Sequence, residues 1–362
     1  MSDSSTRRMI EAYTDEAPAP MYLSSQFHTG PRQIHNTEEV EIDVQRDSEE
    51  VAVVIQDLST GARQNADGKF TNKSFRPPLF NEEGTITSFD LLKRQPGVVP
   101  FEDPVFQATA IVKAFSIFRK LGNKVNRAVE LMSSQVLQTG ELHLFDDAGV
   151  ELYTLDFQPK STHFFTVGTT WAANGSTGDP MGDLAALAAI LRKDGRKRPA
   201  KLTFGAGAWQ RFTKNADVKA AIASIGMQDL VKLAVPSAEA GPQDATFAGT
   251  IVVQNYRFEM WLYDGSYIHP QTKVLTPYVA DNKVIMTSPS ARMDLSFGGI
   301  PRIVAPDPRV LPYLPTRMSG NGFDLSTYAW ITQDGQHLKV SAGTRPLTIP
   351  VAIDTFGCIT VF

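Results

Sequence analysis

The sequence predicts a protein of the α+β class, in which strands surround one very long helix and an inserted α/β region. Three observations lead to this prediction. A β-branched run stands near residue 50, a continuous apolar stripe at helical spacing occupies residues 103–138, and helix signals alternate with short strands after residue 179. Strand patterns return toward residue 362, which indicates that a domain begun before the α/β part is completed after it.

The first 45 residues hold few apolar side chains in no sustained period, and prolines at positions 18, 20 and 31 disfavour a helix there. We interpret this segment as an extended arm, and a disordered tail fits its composition equally well. Residues 1–50 carry eleven acidic and four basic side chains, whereas the rest of the chain is nearly neutral. An acidic arm on a near-neutral body is not typical of a sequence-reading nucleic-acid binder, and it fits an arm that lies on the basic surface of a neighbour.

Residues 46–95 indicate two strands around a long loop. The predicted strands are Glu50–Leu58 and Thr85–Leu92, and the loop between them is Gly61–Gly84. Twenty-four residues are more than an ordinary hairpin turn contains, and the middle of the loop is basic. We interpret the region as a projecting hairpin that grips a neighbour; a solvated loop is the alternative.

A helix predicted over residues 103–138 is the longest element of the chain. Asp103 and Pro104 supply an N-cap and first-turn pair. Apolar residues then recur at steps of three and four, at Ala110, Ala114, Ile117, Leu121, Val125, Ala128, Met132 and Val136. Gly140 predicts the end of the helix, which would be roughly 50 Å long.

Shorter elements follow the long helix. The pattern predicts strands at 142–145, 152–157 and 164–167, and then a helix that Asp179 and Pro180 open and Gly195 ends. A strand at 202–204 and helices near Trp209 and over 218–225 complete the α/β region. Further strands are predicted at 258–263, 283–287 and 359–362.

No motif of the sequence carries recognisable catalytic chemistry. Gly205 and Gly207 begin a dinucleotide-binding pattern, but Gln210 stands at its third glycine position. The histidines lack metal-ligand spacing, and the single cysteine, Cys358, lies in an apolar stretch that predicts a buried thiol. We therefore predict no catalytic residue, no cofactor and no metal ligand. An α/β enzyme with a site near Gly205 and Trp209 stays open as an alternative.

Two further features bear on partners. The densest basic cluster is Arg192, Lys193, Arg196, Lys197 and Arg198. At a helix C-terminus these cations complement the helix dipole, and contact with nucleic acid or a neighbouring subunit is the alternative. The longest strongly apolar run, Leu184–Leu191, is too short to span a bilayer, and Met1–Tyr13 lacks the apolar region of a signal peptide, so no membrane partner is expected.

The order of these pieces resembles a known family. Glu102, Asp103 and Pro104 lead into the long helix. Thr170 and Trp171 precede Asp179, Pro180 and the helix that contains Asp183; the strand Leu202–Phe204 is followed by Trp209, Phe212 and a helix after Asp217. Over most of residues 45–300 this order is similar to that of the lambda-type major capsid protein E family of tailed phages, whereas the last 60 residues match poorly.

The resemblance implies the tailed-phage (and herpesvirus-type) capsid fold. Its expected parts are an N-terminal arm (1–45), an extended loop hairpin (46–95), a peripheral domain with a spine helix (96–178), an axial domain (179–315) and a C-terminal return to the peripheral domain (316–362). It implies a non-enzymatic major capsid protein that self-assembles through hexamers and pentamers into the icosahedral head shell around phage DNA. A tail-tube or decoration protein is the alternative within virions.

The resemblance also implies partners. They are further copies of the chain, a decoration protein, a portal, and a scaffold or protease during assembly, with weak non-specific contact to packaged DNA. The expected location is the virion, with assembly in the host cytoplasm. We predict that acidic arm residues of one subunit pair with basic loop residues of another. The acidic set is Glu38, Glu39, Glu41 and Asp43, and the basic set is Arg63, Lys69, Lys73 and Arg76.

Overall fold

Nine stretches of the chain are described by the computed structural model: residues 19–27, 33–35, 39–45, 70–92, 106–146, 148–224, 244–300, 317–319 and 322–362. Their helices are α1 (Tyr22–Ser25), α2 (Ser88–Leu92), α3 (Phe106–Thr139), α4 (Pro180–Gly195), α5 (Ala206–Lys214) and α6 (Ala216–Ser224). Their strands are β1 (Gln33–Ile34), β2 (Val40–Gln45), β3 (Phe70–Phe75), β4 (Phe80–Thr87), β5 (Glu141–Phe145), β6 (Glu151–Asp156), β7 (Phe164–Thr166), β8 (Lys201–Phe204), β9 (Ala245–Val253), β10 (Tyr256–Tyr263), β11 (Ser266–Ile268), β12 (Leu275–Pro277), β13 (Lys283–Thr287), β14 (Asp294–Phe297), β15 (Arg317–Ser319), β16 (Gly322–Ile331), β17 (His337–Thr344), β18 (Pro346–Ile349) and β19 (Phe356–Thr360).

The predicted long helix is confirmed as α3, and it ends where the sequence indicates. Gly140 follows it with a φ of +75°, a left-handed conformation that favours glycine, and its N–H donates to the Val136 carbonyl. The buried side of α3 includes the predicted stripe positions Ala114, Leu121, Val125, Met132 and Val136. The predicted cap at Asp103 and Pro104 lies outside the described residues.

The first half of α3 packs on a four-stranded sheet of order β15-β16-β17-β4. The buried contact joins Phe118 of the helix to Ile86, Ala329 and Val340 of the strands. The second half of α3 packs on a larger core that the β5–β6 hairpin, β14, β18 and the N-terminal segment share. Helix α3 therefore contacts the four-stranded sheet with its first half and the larger core with its second half.

The α/β part is built on a six-stranded mixed sheet of order β7-β19-β13-β8-β10-β9. Strand β8 pairs parallel to β10 and antiparallel to β13. Helices α4 and α5 cover the sheet through Leu184, Leu191 and Phe212, which are fully or almost fully buried against Phe204 and Phe258. Strand β13, in the middle of the sheet, contains the apolar run Val284, Ile285 and Met286, and all three are fully buried, as expected for a strand covered on both faces.

Residues 61–92 differ from the prediction. The predicted loop Gly61–Gly84 contains β3 and the first half of β4, and β3 pairs with β2 inside the predicted arm. The predicted strand Thr85–Leu92 ends at Thr87, where α2 begins. Thr87 and Asp90 form a reciprocal capping box: the Asp90 amide donates to Thr87 Oγ1 and the Thr87 amide donates to the Asp90 carboxylate. The other predicted strand, Glu50–Leu58, lies outside the described residues.

The N-terminal segment also differs from the prediction of an extended arm, because it contains a helix. Helix α1 forms two residues after Pro20, and Tyr22, Leu23 and Phe27 are almost fully buried in the core shared with α3. Prolines that precede the first turn leave its hydrogen bonds intact, so they permitted this short helix. The described part of the segment is thus anchored on its own chain.

The C-terminal region divides between two sheets. Strands β16 and β17 join β4 beside α3, as a return to the peripheral region would require. Strand β19 instead lies between β7 and β13 in the six-stranded sheet, because Phe356–Ile359 is apolar or small on both faces and suits a covered central position. The five-part domain division itself stays a prediction.

Candidate assembly surfaces

The predicted contact residues fall into two groups. Glu38, Arg63 and Lys69 lie outside the described residues. Of the others, Glu39 directly precedes β2, Glu41 and Asp43 stand in β2, Lys73 stands in β3, and Arg76 follows β3. The structure therefore brings described members of both sets into one antiparallel strand pair of a single chain.

Within the paired residues 40–45 and 70–75, no acidic position lies opposite a basic one. Glu41 lies opposite Ser74, Asp43 opposite Asn72, and Lys73 opposite Ile42. Near the base of the pair, Ser74 Oγ donates to the Glu39 carboxylate.

Arg76, which follows β3, meets the β5–β6 hairpin through its backbone. Its carbonyl accepts a hydrogen bond of 2.7 Å from the Tyr153 hydroxyl. That contact ties the end of β3 to the core-facing side of the hairpin, since Tyr153 packs against the core.

A buried carboxylate holds the N-terminal segment to α3. Glu130 is 0% exposed, and its carboxylate accepts hydrogen bonds from the amides of Leu23 (2.7 Å) and Ser24 (2.8 Å) and from the Tyr263 hydroxyl (2.7 Å). Burial raises the pKa of Glu130, and the hydrogen bonds to the segment and to Tyr263 act in the opposite sense. We define residues 19–27 as the docked segment and this cluster as its clasp.

The docked segment reaches the six-stranded sheet as well. The Tyr22 hydroxyl bonds to Thr203 Oγ1 at 3.2 Å, and Gln26 Oε1 accepts from Thr287 Oγ1 at 3.2 Å. The Lys201 amine lies 4.5 Å from the centre of the Tyr22 ring. Burial lowers the pKa of Lys201 to about 8. The segment therefore links α3 to β8 and β13, and it can hold the spine helix and the α/β sheet in one fixed arrangement.

Sequence reasoning missed the clasp, although one signal was present. Glu130 is the only charged residue between Arg127 and Glu141, inside the most apolar stretch of α3. A lone acid in such a stretch indicates a buried carboxylate with partners elsewhere. The sequence does not say that those partners are backbone amides more than a hundred residues earlier.

Gly205 has a packing role in place of a phosphate-binding one. A Cβ on this residue would lie 2.2 Å from the Ala280 carbonyl oxygen, so the strand-to-helix turn needs glycine. The Ala208 amide at the start of α5 already donates to the Asp281 carbonyl. The N-terminus of α5 is thus occupied by its own chain.

The basic cluster at the end of α4 has local structural contacts. Arg196 caps the helix in a left-handed conformation, the Lys197 amine donates to the Ser290 carbonyl, and the Arg198 guanidinium lies 6.0 Å from the Tyr256 ring centre. Cys358 is buried, as the sequence predicts.

The described residues contain no group of three or more His, Cys, Asp or Glu side chains arranged to hold a metal ion. Within the same residues, no helix has the length and apolar character needed to cross a bilayer.

Comparison with solved structures identifies the fold. The fold is similar to that of a protein of an E. coli CFT073 prophage, described as a capsid protein, with a TM-score of 0.61, 12% identity, and coverage of 95% of this chain and 94% of that one. It is also similar to the capsid of Ralstonia phage GP4, with a TM-score of 0.50, 9% identity, and coverage of 99% and 91%. The fold is therefore the HK97-like capsid fold of tailed phages, and the predicted fold class is confirmed.

A family model then assigns the chain to a sequence family. The family model described as phage major capsid protein E matches residues 5–361, and the chain belongs to that family. No curated protein sequence matches the chain significantly. The predictions of a head shell protein and of a structural, non-enzymatic role are confirmed by this family match. The alternatives of a tail-tube protein, a decoration protein or an α/β enzyme are set aside for the same reason.

Proposed function

We propose that this head shell protein holds its neighbours through the ribbon formed by β2 and β3, whose charged residues meet opposite charges on another subunit. In this proposal the acidic set Glu38, Glu39, Glu41 and Asp43 faces the basic set Arg63, Lys69, Lys73 and Arg76 of an adjacent copy. The contact is one of many that close the shell, and it gives the ribbon and the segment beyond it a binding role.

The isolation of the ribbon is the observation that carries the proposal. Among the described residues no third strand pairs with β2 or β3. Its base is anchored, since Val40 is buried and the Phe75 ring lies 5.5 Å from the Phe157 ring. A two-stranded ribbon is marginally stable alone, so contact with another chain would stabilise the part beyond the base.

The strand register supports the proposal that charged residues of the ribbon contact another subunit. Within the ribbon, Glu41, Asp43 and Lys73 all lie opposite uncharged residues. Directly opposite positions therefore do not match these three charges within the ribbon, and in our proposal an adjacent subunit supplies their partners. Such pairs at a rim contribute more to orientation and partner choice than to affinity.

At the level of the particle, we propose that hexamers and pentamers of the chain build an icosahedral shell in the host cytoplasm. A portal, a scaffold or protease, and a decoration protein would take part in assembly. The formal net charge of −4 fits a wall that touches packaged DNA weakly, because strong DNA binding grows with each phosphate that a basic residue neutralises.

Charge reversal tests the ribbon. The double variant Lys69→Glu with Lys73→Glu is expected to lower the particle yield at least tenfold, whereas Lys219→Glu, an exposed lysine of α6, serves as the control and leaves it unchanged. Adding Glu41→Lys and Asp43→Lys to the double variant is expected to restore particles. A double variant with normal particle yield and stability would refute the proposed contact.

A further inference from the structure

Two neighbouring hairpins expose an unusual share of large apolar side chains. Phe145, Val150 and Leu152 belong to the β5–β6 hairpin, and Ile268, Val274 and Leu275 belong to the β11–β12 hairpin. All six are between 50% and 71% exposed. They are six of the thirteen exposed large apolar residues in the described part of the chain, so exposure is concentrated here. We call these six residues the two-hairpin surface.

The turns of the two hairpins lie against each other. A Cβ on Gly149, in the β5–β6 turn, would be 3.1 Å from the Gln271 amide nitrogen in the β11–β12 turn. Both turns are hydrogen-bonded internally: Asp146 Oδ1 accepts from the Val150 amide at 2.8 Å, and the Val274 carbonyl accepts from the His269 amide at 2.9 Å. The apolar side chains therefore stand on a fixed, continuous support.

A bulge turns one of these side chains outward. The β5–β6 register pairs Leu144 with Tyr153 and Phe145 with Glu151, so Leu152 is the extra residue. Tyr153 and Leu155 pack on the core, whereas Leu152 is 71% exposed. Bulges often re-aim a side chain at a site of interaction, and here the bulge presents leucine to solvent.

The size of the surface suits a subunit contact. Six side chains of this kind expose about 100 Å² each, or roughly 600 Å² together. That area is at the upper end of what monomeric proteins expose in one patch. It approaches the roughly 800 Å² that each partner buries in a standard protein–protein interface.

The charge of the β5–β6 hairpin indicates what kind of partner surface the two-hairpin surface contacts. The β5–β6 hairpin is acidic, through Glu141, Asp146, Glu151 and Asp156, and its His143 bonds to both Glu141 and Glu151. Two copies of the β5–β6 hairpin would repel each other face to face, which favours a partner surface that differs from it. Contacts between unlike faces of identical chains form a ring where the rotation between neighbours closes, and a shell capsomer needs such a ring. The chain offers the opposite charge at the end of α4, where residues 192–198 hold five basic side chains.

We propose that the two-hairpin surface docks on a different face of a neighbouring copy of this chain, in an inter-subunit contact of the shell. This inference rests on the proposed assembly into a shell and names a contact separate from the ribbon. In the contact the six apolar residues lose their solvent exposure, and the acidic residues around them form the polar rim.

Polar substitution gives the first test. In Leu152→Asn with Leu275→Asn, we expect the assembled fraction to fall at least tenfold by sedimentation, with an unchanged melting temperature of the unassembled subunit. The matched control is Val252→Asn, an exposed apolar residue of β9, which keeps assembly at the wild-type level. Normal assembly of the double variant, or equal loss in the control, would overturn the inference. A wild type that forms no assemblies even when a scaffold is supplied would overturn the proposed assembly and this inference with it.

A labelling experiment avoids any dependence on the stability of the variant. Cys358 is the only cysteine and is buried, so Leu152→Cys creates a single reactive surface thiol. In particles made from this chain alone, we expect a maleimide to label that thiol at least tenfold more slowly than in dissociated subunits. Equal rates would overturn the inference, and so would protection that appears only in complete virions, because the partner would then be another virion protein.

Discussion

Replacing Glu130 with alanine should release the docked segment from α3. The variant removes the acceptor for the amides of Leu23 and Ser24 and for the Tyr263 hydroxyl, which lie 2.7, 2.8 and 2.7 Å from the carboxylate. Each hydrogen bond to a charged group contributes about 1.5–3 kcal/mol, and burying the charge costs several kcal/mol in return. The net loss is therefore about 3 kcal/mol, equivalent to a rise of about 100-fold in the opening of the segment.

Hydrogen exchange of the Leu23 and Ser24 amides measures this opening directly. In Glu130→Ala both amides should exchange about 100-fold faster. In Tyr263→Phe, which removes the Tyr263 hydroxyl donor and keeps Glu130 as the acceptor for both amides, they should stay largely protected. Lys124→Met is the control, because it breaks only a solvent-exposed ion pair with Glu82. Exchange in Glu130→Ala within threefold of wild type would refute the clasp.

The pH dependence of stability tests the same residue in another way. Burial raises the pKa of Glu130 in the folded protein above its unfolded value. The native state then binds this proton more tightly than the unfolded chain does. The group's contribution to the free energy of unfolding is therefore greatest below the unfolded pKa and is lost as the pH rises through the folded pKa. The stability of wild type relative to Glu130→Gln should fall across that window, and a rise would contradict the argument.

Three further predictions use single residues. Gly122→Ala should stabilise the protein by about 0.5–1 kcal/mol, because no described atom lies within 4 Å of the added Cβ. Gly140→Ala should destabilise it by more than about 1 kcal/mol, because Gly140 has a φ of +75°. Thermal melts in which the melting temperatures of both variants shift in the same direction would refute this. Hydrogen bonds that His143 donates to the carboxylates of Glu151 and Glu141 raise its pKa, so its NMR titration midpoint should exceed 6.5 and fall in Glu151→Gln, while an unchanged midpoint would count against the contact. The rate at which Lys201 reacts with an acylating reagent should follow a pH profile with a midpoint near 8, and a midpoint near 10.5 would contradict its burial.

Local patterns predicted the elements that depend on nearby residues. The stripe from Ala114 to Val136 and the stop at Gly140 depend on residues three or four positions apart, so α3 was predicted with its correct end. The capping box of Thr87 and Asp90 was equally local, and reading it would have corrected the strand predicted over 85–92.

The same local patterns did not predict which strands pair with each other. Nothing local to β3 indicates that it pairs with β2 across the intervening residues 46–69, and nothing in residues 356–360 selects β7 and β13 as neighbours. The clasp is similar, since Glu130 meets amides 106 and 107 residues earlier in the chain. Such contacts depend on which surfaces meet after the chain has closed long loops.

The sequence alone determined the class of fold, the spine helix, the acidic N-terminal region and, through the order of these pieces, the family of shell-forming proteins. The tertiary structure decided that residues 19–27 are fixed to α3, that Gly205 serves backbone packing, and that the turns of two separate hairpins lie against each other. The physical reason is the separation along the chain over which each interaction acts. Periodicity and capping act within a helical turn or two, whereas burial and strand register join residues that are distant in the chain and become neighbours only in the folded molecule.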